Sequence, residues 1–168
     1  MNSKTNRFLP ENQYCGGTLV GDRYVITSAE CTINLKPNKI SVLVGDTTLG
    51  VANDTSRFFF NVSEIRRHPE YDNATYQNNI AVLVLSSTVD LKAHPNIKPA
   101  CLPSSDTKFD SNYREAVLSG WGTVGKVMLD EDTYSSSNLY NLGVKILPNC
   151  SKWQGRLQKL SLTCSGPH

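Results

Sequence analysis

Two residue classes in this 168-residue chain have types and spacings that predict covalent chemistry: the cysteines and the asparagines of N-x-S/T sequons. The cysteines stand at positions 15, 31, 101, 150 and 164. An odd set at wide spacing fits a disulfide framework with one thiol left over. The sequons begin at Asn53, Asn61, Asn73 and Asn149, each an acceptor for an N-linked glycan if the chain is exported. Both features point to an oxidising, extracellular setting. The histidines His68, His94 and His168 form no zinc-type spacing with the cysteines, so neither a metal nor a cofactor is expected.

Composition narrows the partners. The formal net charge is +2, from 17 basic and 15 acidic residues with no long basic run, which argues against nucleic acid and anionic membranes. No apolar stretch approaches the roughly 20 residues that span a bilayer. The start of the chain, Met1 to Arg7, is polar and lacks a secretory apolar region, so an export signal would lie outside this sequence.

The elements that must hold these residues read as strands. Arg23–Thr27, Ile40–Val44, Phe58–Val62, Ile80–Leu85, Glu115–Ser119 and Leu142–Leu147 are short, rich in β-branched or aromatic residues, and bounded by turn formers. Ile80–Leu85 is almost continuously apolar, as a strand covered on both faces would be. Many short strands with Gly, Pro and Asn turns predict an all-β sandwich or barrel. One helix is expected after Cys150, where Trp153, Leu157 and Leu160 share a face. Three prolines between Ala93 and Asn112 mark a linker, giving an N-terminal unit 1–112 and a second unit 113–168.

Several segments, taken in order, resemble the chymotrypsin family of trypsin-like serine proteases. Cys15-Gly16-Gly17-Thr18-Leu19-Val20 with Tyr24-Val25-Ile26-Thr27-Ser28-Ala29-Glu30-Cys31 is similar to the block around the family's catalytic histidine. Asn79-Ile80-Ala81-Val82-Leu83 resembles the block around its aspartate. Pro99-Ala100-Cys101-Leu102-Pro103 and Ser119-Gly120-Trp121-Gly122-Thr123 are similar to the crossing segment and to the strand end that opens the second barrel. Val44-Gly45-Asp46 and His68-Pro69-Glu70-Tyr71 look most like secreted arthropod members. The resemblance implies a chymotrypsin-like antiparallel Greek-key double barrel. Its first barrel would be nearly complete, short of most of the first strand, and its second barrel partial, with exposed edges that call for a partner.

The same resemblance implies a degenerate triad. The histidine position holds Glu30, a carboxylate whose ordinary pKa near 4 makes it a weak base for a serine hydroxyl. The aspartate position holds Asn79, a change that costs roughly 10⁴ in turnover in an intact triad. A hydrogen bond between Glu30 and Asn79 would keep the shape of the old site without its chemistry. Ser165, in Cys164-Ser165-Gly166-Pro167, is at most a remnant of the nucleophile. In one alignment Cys164 pairs with Cys150 and the chain stops before the nucleophile; in the other Ser165 is the nucleophile in a shortened block. Either way the Gly-Asp that should precede it, and the oxyanion donors, are gone.

The resemblance further implies disulfides Cys15–Cys31 and Cys150–Cys164. It leaves two readings for Cys101: a bond to a preceding segment absent from this chain, or a buried free thiol. His68 matches a structural position, and His94 falls in the linker. Calcium, which some members hold after the Val44-Gly45 strand, is not expected, because Asp46 keeps one ligand while the second acidic position is Ser56. Function then reads as a secreted, non-catalytic homologue that regulates or decoys by binding an unknown protein, a protease or its substrate. The alternatives are a serine endopeptidase, as family membership alone would suggest, and a degenerate gene fragment without function.

Overall fold

β1 (Thr18–Val20) and β2 (Tyr24–Thr27) form a hairpin whose turn begins at Gly21, held at φ +70. A left-handed residue is readily supplied there by glycine, which has no Cβ to clash. The computed structural model describes residues 13–51, 56–104, 115–124, 134–146 and 165–167.

Beyond this hairpin, β3 (Ser41–Val44), β4 (Phe58–Arg67) and β5 (Ala81–Leu85) follow as a meander, and β5 returns to lie beside β2. The resulting order, β1-β2-β5-β4-β3, is antiparallel throughout and contains a Greek key, since three consecutive strands are joined by an earlier one at their end. β5 is central, with neighbours on both edges, and four of its five residues are buried. That explains its unbroken apolar run.

β4 runs five residues past the expected end at Val62. Ser63, Glu64 and Arg66 look like a strand stop in sequence, yet they face solvent. A register shift between Val62 and Glu64 lets the strand leave β3 and continue along β5. Glu64 and Arg66 then share the outer face, and Arg66 donates to both carboxylate oxygens at 2.9 and 2.8 Å. Ile65 turns inward against the core. That core comprises Val25, Ile40, Val62, Leu83, Leu85, Val89 and Ile97, with Phe58 and Phe60 packed against it.

The second region carries β6 (Glu115–Gly120), β9 (Tyr140–Ile146) and β10 (Ser165–Pro167) in the order β10-β9-β6. Beside them β7 (Thr123–Val124) pairs with β8 (Tyr134–Ser135). The architecture is all-β, a curled Greek-key half-barrel with part of a second barrel. Leu118 and Leu142 sit opposite each other in register and stay 61% and 52% exposed, unlike the buried side chains of β5. The two regions meet through Leu49 N–H to Ser137 O at 2.7 Å, Leu139 N–H to Thr47 O at 2.8 Å, and Trp121 Nε1–H to Thr47 O at 3.4 Å. β1, β7, β8 and β10 were absent from the strand pattern read from sequence, being only two or three residues long. The helix expected after Cys150 lies outside the described residues.

Candidate functional site

β2 ends at Thr27, and the chain turns through Ser28 and Ala29 into a 3-10 turn, Glu30–Thr32. Ala29 is fully buried, so the turn is pressed onto the barrel and Glu30 is left exposed beside it. Asn79, just before β5, is 4% exposed. Its Oδ1 accepts a hydrogen bond from the main-chain N–H of Glu30 at 2.9 Å. The structure therefore brings Glu30 and Asn79 together through the backbone amide of Glu30. The buried Nδ2 of Asn79 has no hydrogen-bond partner. Asn79 thus offers this turn one acceptor, already used, and a buried donor.

The loop carrying Asn79 is held tightly. Tyr76 and Asn78 adopt φ +58 and +56, and Ile80 N–H donates to Asn78 O at 2.7 Å. Partial burial raises the Tyr71 phenol above its ordinary value, and the negative charge of Glu30 adds to the effect. From below, Arg67 fixes the 3-10 turn: Nε donates to Thr32 Oγ1 at 2.8 Å and Nη2 to the Thr32 and Leu35 carbonyls. Sequence reasoning missed Arg67, because nothing in the pair Arg66-Arg67 tells which one reaches the 3-10 turn.

Cys15 and Cys31 are joined in a disulfide with Cα atoms 6.2 Å apart, and Ser28 Oγ–H points to the Cys31 sulfur at 2.9 Å. This bridge ties the segment before β1 to the turn bearing Glu30. Replacing both cysteines by serine is expected to lower stability by about 3 kcal/mol, the chain-entropy value for a loop of this size. Chemical denaturation of the variant against the oxidised protein checks it.

Cys101 is a free, exposed thiol. The buried-thiol reading is thereby corrected: Ala100 N–H is taken up by Leu19 O at 2.8 Å, which docks the segment along β1 but leaves the next side chain facing solvent. Cys150, Cys164, Asn53, Asn149 and His168 lie outside the described residues. Ser165 lies in β10, in register with Ile146 of β9. His68 follows β4, its N–H bonded to Ile80 O at 3.0 Å and its Nδ1 accepting from Glu70 N–H at 3.2 Å. The His94 ring packs on Phe58 with centroids 3.8 Å apart. Both histidines serve local packing and turns. Asn61 lies in β4 and Asn73 in the turn after it, both exposed.

The Asp46 side chain is only 1% exposed. Its Oδ1 accepts from Thr48 N–H at 2.9 Å, and its Oδ2 lies 3.7 Å from the Arg57 guanidinium. Ser56 donates to Gly45 O at 3.2 Å rather than presenting an anionic ligand. Among the described residues no three His, Cys, Asp or Glu side chains gather as a metal site. Arg57 gave no signal in the sequence, because its partner is 11 positions away across a loop.

Residues 2–167 match the trypsin family model, and the chain belongs to the trypsin family. Among its relatives is the proclotting enzyme of Tachypleus tridentatus, 35% identical over 117 residues, 65% of this chain and 31% of that protein. The inactive serine protease scarface of Drosophila melanogaster is 34% identical over 109 residues, 64% of this chain and 16% of that protein. Human kallikrein-7 is 31% identical over 155 residues, 91% of this chain and 55% of that protein. The chain thus spans from under a fifth to just over half of the length of these relatives.

Proposed function

We propose that this chain is a non-catalytic member of the trypsin family that acts outside the cytosol by binding protein. The observation that carries this is Glu30: it follows buried Ala29 and precedes disulfide-bonded Cys31, where the family places its histidine, and Asn79 holds its amide. A carboxylate there does not accept a serine proton efficiently near neutral pH, and an asparagine behind it does not orient a base. The relative scarface, whose name calls it inactive, supports the same direction.

The Cys15–Cys31 disulfide supports an oxidising compartment.

A fluorophosphonate probe, which labels activated serines covalently, tests the reading. The folded protein is expected to take up no more label than its heat-denatured form, while an active family member labels fully in parallel. Labelling that disappears in Ser165→Ala would overturn the proposal and assign an endopeptidase instead.

A further inference from the structure

We propose that Asn73 is an N-glycan attachment site on the loop that carries Asn79, and that it is filled ahead of Asn61. The inference goes beyond the non-catalytic reading and holds whether or not the chain cleaves peptides.

Asn73-Ala74-Thr75 occupies an exposed turn between β4 and β5. Asp72 closes that turn from inside. Its Oδ1 accepts from Ala74 N–H at 2.8 Å, its Oδ2 from Thr75 Oγ1–H at 2.6 Å, and its own N–H donates to Gln77 O at 3.1 Å. The turn is therefore already bent, and Asn73 projects from it. The Asn73 oxygen, not the nitrogen that takes the sugar, accepts from Tyr71 Oη–H at 3.3 Å.

Asn61-Val62-Ser63 is placed differently. Asn61 is exposed, yet its backbone is paired with Ser41 of β3, and its carbonyl accepts from Ser86 N–H at 2.8 Å and Ser86 Oγ–H at 2.9 Å. Presenting this sequon as a bent acceptor means peeling β4 from both neighbours, whereas the Asn73 turn presents itself. A surface loop is the usual setting for such an acceptor.

In the transfer itself, the Asn73 amide nitrogen attacks the anomeric carbon of a lipid-linked oligosaccharide pyrophosphate. An N–C bond forms, the C–O bond to phosphate breaks, and the lipid pyrophosphate leaves with the electron pair. The amide proton passes to a base of the transferase. The first sugars then stand beside Tyr71.

The experiment is site-resolved occupancy. The full chain, secreted from eukaryotic cells behind a cleavable leader, is digested and treated with peptide N-glycosidase in ¹⁸O water, which tags each formerly glycosylated asparagine as labelled aspartate. Most of the Asn73 peptide is expected to carry the tag, with a smaller fraction at Asn61. Thr75→Ala is expected to abolish the Asn73 tag and leave the Asn61 fraction unchanged. An untagged Asn73 in secreted protein with the Cys15–Cys31 bridge closed, or an Asn61 fraction equal to or above that of Asn73, overturns the proposal. Should Thr75→Ala fail to be secreted, the unsubstituted protein alone decides between these outcomes.

Discussion

Leu85→Ala is expected to lower the unfolding free energy by about 3 to 5 kcal/mol, a large part of the roughly 5–15 kcal/mol that holds a typical domain folded. Leu85 is fully buried in the central strand and belongs to the cluster that includes Val25, Val62 and Leu83. Truncating it removes apolar surface from a site with strands on both edges, where collapse to refill the void is restricted. Urea unfolding should show the midpoint falling by roughly 1 to 3 M at an unchanged slope. Leu118→Ala is the control, expected to stay within about 0.5 kcal/mol because Leu118 is 61% exposed. Equal losses at the two positions would mean that β6 is covered by something in solution, and would locate a binding face directly.

Arg57→Leu is expected to destabilise the protein by about 3 kcal/mol, since removing one member of a buried pair leaves the other charge without compensation. The Asp46 and Arg57 side chains are 1% and 13% exposed, and Asp46 Oδ2 has no hydrogen bond to replace the lost guanidinium. The double variant Asp46→Leu/Arg57→Leu should recover much of the loss, because both charges then leave the interior. A double-mutant cycle measures the coupling. Additive losses would show that Arg57 contributes independently of Asp46. Space around this pair is tight: a Cβ added at Gly45, whose φ is +80, would meet Ser56 O at 2.2 Å. The loop is thus held by a close backbone approach as well as by charge.

The all-β class, six of the strands and the fold family were legible in the sequence, because strand signals depend on neighbours in the chain. Alternation, β-branching and turn residues are local, and the order of the motifs adds the rest. The Cys15–Cys31 bridge was likewise implied by the resemblance and is present. Glu30 and Asn79, the positions the resemblance gives to the family's histidine and aspartate, could be named from their flanking residues alone.

Tertiary structure decided what those positions do. Asn79 reaches a main-chain amide 49 residues away, so its role depends on how β2 and β5 pair and not on either local pattern. The same holds for Arg67 under the 3-10 turn, at a separation of 35. β4 passes its polar residues because an irregular register lets them face water, a freedom no count of hydrophobic residues reveals. Cys101 shows the limit most plainly. A thiol is as compatible with a core as with a surface, and only the docking of Ala100 on Leu19 turns it outward. Local sequence sets which elements form, whereas contacts across long chain separations set which side chain meets which, because those depend on strand register and loop closure.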